Sequence, residues 1–186
     1  MNKPIVAIMA ILLASAFLIS QGVASTMAGG CGGGGCGGGS NGGTSSAPLS
    51  DYEKQALNIA IDEEYKAKAT YMKVIATFGP ISPFPCIANC EQKHINAVAS
   101  LLTKYGLPIP QDPWTGHITI EFTSKQQACE VGAQAEIDNA GVYDQMIPQI
   151  SQSDIISTFS MLRDVSRYKH LPAFQNWAAI YASQNQ

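Results

Sequence analysis

An all-α bundle of four helices is the fold class that this sequence predicts, and three observations predict it. Mostly apolar stripes recur at steps of three and four along four successive segments, with strict alternation in the first three. Short turn signals separate the first segment from the second and the third from the fourth. One longer, proline-rich link joins the middle two.

Two stretches precede the helices. The chain has 186 residues, and only Lys3 is charged before Asp51. Residues 1–4 carry that lysine and residues 5–19 are an unbroken run of apolar and small side chains, the pattern of a secretory leader. Cleavage after Ser25 or Ala28 would fit the small residues there. An uncleaved anchor is the alternative, since residues 5–23 approach the ~20 needed to span a bilayer. A lipoprotein processed at Cys31 is a third, although Ala28-Gly29-Gly30 lacks the usual large aliphatic residue. Each reading gives an exported or membrane-anchored, extracytoplasmic protein, with residues 1–28 as signal peptide or anchor. Residues 29–48 follow as a tether, because eleven of the seventeen glycines lie between Gly29 and Gly43 and such a stretch cannot build a core. Cys31 and Cys36 within it suit a small disulfide loop or free thiols better than a metal site, and five cysteines leave at least one without a partner in the chain.

The bundle domain occupies residues 49–186. Its first stripe is Leu57, Ile61, Glu64, Lys68, Tyr71, Ile75 and Phe78, with Ser50 as N-cap and Gly79-Pro80 as stop. Phe84, Ile87, Glu91, His94, Val98, Leu101 and Tyr105 make the second, stopped by Gly106. The link then runs from Leu107 to Thr123 through Pro108, Pro110 and Pro113, and the alternation from His117 to Phe122 predicts a short extended piece. Cys129, Gly132, Glu136, Asn139, Tyr143, Met146 and Ile150 form the third stripe, broken late by Pro148. The fourth passes through Phe159, Leu162, Ser166, His170, Phe174, Trp177 and Tyr181. Ser82 or Ser124 is expected to cap the middle helices and Ser153 the last. A bundle with one long crossover is of the ferritin type.

The domain carries 10 Lys and Arg against 14 Asp and Glu with no basic cluster. A protein that tracks nucleic-acid phosphates needs a positive stripe, so no nucleic-acid partner is expected.

The chemistry lies inside the apolar stripes. Glu64, Glu91 with His94, Glu136 and His170 fall in core register on four successive helices, and Glu91 and His94, three apart, project from one face. Each unpaired buried carboxylate costs several kcal/mol, and three would remove much of a typical stability of ~5–15 kcal/mol. Lys68, the one basic residue on those three stripes, can snorkel outward. A bound cation can neutralise all three, so Glu64, Glu91, His94, Glu136 and His170 are the expected metal ligands. The alternative is a salt-bridged structural bundle in which Arg163, Arg167 or Lys169 pair with the glutamates.

The matching stretches are also similar to a known family. Asp62-Glu63-Glu64 followed by Tyr71, the block from Phe84 through Ile87-Ala88 to Glu91-Gln92-Lys93-His94, Tyr105-Gly106-Leu107-Pro108, Val131-Gly132-Ala133 with Glu136, and Ser166-Arg167 leading to His170-Leu171 and Ala173-Phe174 resemble the ferritin-like superfamily. Within it they resemble the uncharacterised family catalogued as domain of unknown function 2202. That resemblance implies a four-helix bundle with a carboxylate and histidine metal centre, usually iron, one or two ions, with manganese possible. It supplies no reaction: the first reading of the site is an iron-dependent oxidase or peroxidase with a metal ion and a small oxidant as partners, and the second is a tethered metal-sequestering module without turnover.

Two departures stand out. A full di-iron site has a second Glu-x-x-His on the fourth helix, and here Arg167 holds the glutamate's place. Tyr168-Lys169 contains one residue more than the family pattern, which a π-bulge would absorb, and Pro172 would kink the same region. Tyr168 could then help to compensate a second ion. Among weaker candidates, Glu130 and Asp138 face away from the stripe and Glu63 could support a ligand from outside. Tyr65 and Tyr71 could donate hydrogen bonds, His117 reads as a surface residue, and Cys86 and Cys90 read as small packing residues, with a redox pair or soft-metal site as the alternative.

Overall fold

A computed structural model describes residues 48–184, and the structural statements below concern those residues. The expected leader, the glycine tract, and Cys31 and Cys36 lie outside them. The described chain is all-helical: α1 (Asp51–Phe78), α2 (Phe84–Lys104), α3 (Lys125–Met146), a 3-10 turn (Ile147–Gln149), α4 (Ser153–Val165), a π-helical segment (Ser166–His170) and α5 (Leu171–Gln184). The last three follow without a break and form the fourth rod. No helix of the described residues is long and apolar enough to cross a membrane.

Local chemistry sets the ends. Ser50 and Glu53 form a reciprocal capping box on α1. Gly79, at φ +80°, ends the helix, and its N–H reaches Ile75 O at 2.9 Å. At the end of α2, Gly106 takes φ +68°, and Gly106 N–H and Leu107 N–H reach back to Thr103 O and Leu102 O. This paired return satisfies carbonyls that the helix end would otherwise orphan. Ser124 caps α3 as expected, its Oγ accepting from Gln127 N–H at 3.1 Å.

Two expected caps do not form. Pro83 rather than Ser82 precedes α2; Phe84 N–H reaches Ile81 O instead, and Pro85 in the first turn has no N–H to satisfy. Ser153 is the first residue of α4, and Gln152 before it makes no capping side-chain bond. The N–H groups of Ser151 and Gln152 go instead to the Glu53 carboxylate, at 2.9 and 3.3 Å.

The link between α2 and α3 lies against α1. Trp114 Nε1 donates to Asp62 at 2.9 Å, Tyr65 Oη to Pro110 O at 3.2 Å, and Lys73 Nζ to Ile118 O at 3.0 Å. The alternation from His117 to Phe122 yields no strand among the described residues. A strand needs a neighbour for its N–H and C=O groups, and this segment is held by Lys73 and buried Phe122 instead.

The stripes become the core. One apolar cluster gathers Leu57 and Ile61 of α1, Val98 and Leu102 of α2, Tyr143 of α3, and Phe159 and Leu162 of α4. The other gathers Tyr71 and Val74, Phe84 and Ile87, Ala128 and Cys129, and Phe174 of α5. Chain order through these clusters fixes the topology: α1 and the fourth rod run from the first cluster to the second, whereas α2 and α3 both run the other way. Because α2 and α3 are parallel, the chain between them must return the full length of the bundle, which is what the long link provides. On every rod, buried polar residues lie between the clusters.

Candidate metal centre

The polar layer consists of Glu64 on α1, Glu91 and His94 on α2, Glu136 and Asn139 on α3, and Ser166 and His170 on the π-helical segment. All are 5 % exposed or less. The five ligands expected from sequence therefore converge.

Glu91 sits at the centre, with one oxygen toward each histidine. Its Oε2 is 2.7 Å from His94 Nδ1, and its Oε1 is 3.0 Å from His170 Nδ1. Glu64 Oε2 lies 3.2 Å from His94 Nδ1, and Glu136 Oε2 lies 3.4 Å from His170 Nδ1. Two half-sites result, Glu64-Glu91-His94 and Glu91-Glu136-His170, with Glu91 in both. The imidazole rings stack 5.5 Å apart.

The outer carboxylate oxygens are held by tyrosines. Tyr143 Oη donates to Glu64 Oε1 at 2.5 Å, with Asn139 Nδ2 at 3.4 Å from the same oxygen. Tyr71 Oη donates to Glu136 Oε1 at 2.5 Å. Glutamate and tyrosine are seven apart on both α1 and α3, and each tyrosine serves the glutamate of the other helix. Such partners orient a ligand and leave its second oxygen for an ion. Tyr71 fills the donor role read from the sequence. Tyr143 and Asn139 were placed in the stripe but not in the site, and the repeated Glu-x6-Tyr spacing was the signal that marks Tyr143.

Electrostatics divides the carboxylates. Burial pushes the Glu64 carboxyl above its usual range. Burial opposes the charge of Glu91 too, yet the flanking His170 and His94 hold its carboxyl well below the usual range. Burial would lower both imidazoles, but the neighbouring Glu91, with Glu64 for His94 and Glu136 for His170, raises each to about 10. Burial, and then the charge of Glu136 or Glu64, keeps the Tyr71 and Tyr143 hydroxyls protonated as donors.

These atoms fit a cation. Glu91 Oε1, Glu136 Oε2 and His170 Nδ1, one atom from each member of a half-site, are buried without a hydrogen-bond partner. Buried polar atoms are almost always satisfied, and three orphans that converge to 3.0–3.4 Å are spaced like neighbouring ligands around an ion with bonds of about 2.1 Å. Carboxylate oxygens and imidazole nitrogens suit iron and manganese.

The remaining candidates fall outside the layer. Glu130, Asp138 and His117 are exposed as expected. Glu63 turns to Lys66, 3.6 Å away, and supports no ligand. Tyr65 bonds to the link, and Tyr168 is exposed, so neither reaches the centre. Lys68 does snorkel, to Gln92 Oε1 at 2.5 Å. Arg163 pairs with Asp164 and Arg167 with Asp144 on the surface, and Lys169 is exposed. The bases that a salt-bridged core would require are thus occupied elsewhere. The expected π-bulge is present: Leu171 N–H reaches back five residues to Ser166 O. The bulge absorbs the extra residue within the segment that carries buried Ser166 and His170. Cys86 and Cys90 are not simple packing residues, since both are disulfide-bonded, while Cys129 is free and buried.

The family model described as an uncharacterised protein domain, DUF2202, matches residues 53–180, which contain the whole polar layer. An uncharacterised protein of Methanocaldococcus jannaschii, MJ0754, is 27% identical over 150 residues, covering 73% of this chain and 80% of its own. The crystal structure of that hypothetical protein aligns with a TM-score of 0.67 at 26% identity, covering 76% of this chain and 87% of the other. The conserved hypothetical protein rv2844 of Mycobacterium tuberculosis shares the fold at 16% identity, with a TM-score of 0.59 over 71% of this chain and 98% of its own. With more than half its length matched by the family model, the chain belongs to the DUF2202 family.

Proposed function

We propose that the polar layer is a metal centre of the ferritin-like type, holding one or two ions of iron, or of manganese, in an exported protein. The observation that carries this reading is the set of three orphaned ligand atoms in the half-site of Glu91, Glu136 and His170. Glu64, Glu91 and His94 would hold an ion on one side of the layer, and Glu91, Glu136 and His170 on the other. When bound, such an ion supplies a redox-active Lewis acid able to exchange electrons with iron(II), oxygen or peroxide. The chain does the rest. Glu91 joins the half-sites, Tyr71 and Tyr143 fix the carboxylates that flank them, and the two apolar clusters exclude water above and below. Export rests on the apolar run at residues 5–19.

The second reading is a module that sequesters metal, or serves as a structural bundle, without turnover. One observation favours it: with both imidazoles raised to about 10, His94 and His170 remain protonated at neutral pH and offset the carboxylates without metal.

Elemental analysis of the full chain beside a Glu91→Ala/His94→Ala variant tests the centre. One or two equivalents of iron or manganese in the parent and none in the variant are expected. A parent that folds but takes up no metal after anaerobic loading contradicts the centre. Oxygen or peroxide consumption by the loaded protein then separates turnover from sequestration.

A further inference from the structure

Cys90 lies at the edge of the polar layer, and the centre described above does not use it. It is buried on α2, next to Glu91 and one turn before His94. Its sulfur is 3.6 Å from His94 Nε2, whereas Nδ1 of the same ring faces Glu91 and Glu64. The His94 ring therefore has a carboxylate side and a sulfur side. Cys90 Sγ and ring nitrogens of His94 and His170 all lie within 4.8 Å of one another, and all three residues are buried. Tetrahedral zinc, with bonds of about 2.3 Å to sulfur and about 2.0–2.1 Å to nitrogen, sets neighbouring sulfur and nitrogen ligands roughly 3.5 Å apart. The Cys90–His94 spacing matches that edge.

The sulfur is not a thiolate in the structure. Cys86 and Cys90 are each disulfide-bonded, and Cys129 is free. A disulfide sulfur carries no charge and is a poor ligand, because it is the thiolate that binds metal.

We propose that Cys90, His94 and His170 form a second metal site, for a soft cation such as zinc(II) or copper(I), which the disulfide at Cys90 masks and its reduction opens. A dithiol reductant breaks the S–S bond, gives one hydrogen to each sulfur and closes its own disulfide. The Cys90 thiol then releases its proton to solvent as the cation binds. Three protein ligands leave a fourth position for water. Thiolate selects soft ions and the carboxylate side selects harder ones. Both sites draw on the same two imidazoles, so reduction shifts the preference of this region from iron or manganese toward zinc or copper.

Cobalt(II) is the probe for the test, since thiolate ligation gives it an intense near-ultraviolet charge-transfer band. The full chain, oxidised or reduced with a dithiol under anaerobic conditions and freed of excess reductant, is titrated with cobalt(II) and then with zinc(II). The band is expected only after reduction and should disappear when zinc displaces cobalt. It should be absent from Cys90→Ser and Cys90→Ala, whose folding is checked by circular dichroism, and retained in Cys86→Ser. Zinc affinity should fall more than about tenfold in the Cys90 variants. A reduced parent without the band, or a band that survives loss of Cys90, overturns the proposal. The site does not rest on the carboxylate centre: a parent that ignores manganese yet shows the band would sink that centre and leave this site standing.

Discussion

Glu53 and Glu91 are both buried carboxylates on the inner faces of neighbouring helices, 2 % and 0 % exposed, and they are treated in opposite ways. Glu53, at the end of the bundle, accepts from Ser50 N and Oγ with one oxygen, and from Ser151 N, Ser151 Oγ and Gln152 N with the other. Five neutral donors close round it, and its carboxyl falls to about 2 despite burial. Glu91, in the middle, meets two imidazoles and two further carboxylates, and one of its oxygens has no hydrogen-bond partner. Burial is common to both, so burial does not mark a metal centre. Convergence of orphaned ligand atoms does. Glu53 is a structural carboxylate that ties α1 to the α3–α4 turn, and Glu91 stands among buried groups that could hold a metal ion.

The largest effect expected from breaking this contrast is at Glu53. Glu53→Ala leaves the buried N–H groups of Ser151 and Gln152 without an acceptor and should cost about 2–5 kcal/mol in denaturant unfolding, with metal uptake by the folded protein unchanged. The pH dependence has a definite sign. Glu53 has a folded pKa of about 2 against 4.5 when unperturbed, so its contribution is fully present above about pH 4.5 and is lost as pH falls toward 2. Unfolding measured from pH 6 down to pH 2 should show a shallower acid limb in Glu53→Gln.

Next come the tyrosines. Tyr143→Phe and Tyr71→Phe remove the donors to Glu64 and Glu136, and each should weaken iron or manganese binding by about 10–100-fold while the fold persists. Competition with a chelator measures this. Equal loss from an exposed control such as Tyr168→Phe would deny them a positioning role.

The smallest effect has the opposite sign from Glu53. Glu136→Gln keeps the acceptor for Tyr71 but removes a charge whose second oxygen is unsatisfied. Metal-free protein should become more stable by about 1–2 kcal/mol while metal binding weakens. A loss of stability comparable to that of Glu53→Ala would mean that the central layer is as self-sufficient as the end of the bundle.

The two regions also differ in how far the sequence disclosed them. The central layer was legible because its determinants are local to each helix: Glu64, Glu91, His94, Glu136 and His170 each stand in an apolar register that can be counted. The π-helical segment was legible from one residue too many between Ser166 and His170. Glu53 was not, because the partners that bury it, Ser151 and Gln152, lie 98 and 99 positions away, and only folding brings that turn to the start of α1. The same non-local cause hid Tyr143, whose register was visible but whose acceptor, Glu64, lies 79 positions away.

The most direct measurement is a count of manganese(II) bound by metal-free protein, followed through the paramagnetic resonance of the free ion, for the parent, Glu53→Gln and Glu91→Gln. The account predicts one or two ions bound by the parent and by folded Glu53→Gln, and none by Glu91→Gln, because Glu91 belongs to both half-sites. No binding by the parent, or equal binding by Glu91→Gln, would contradict it.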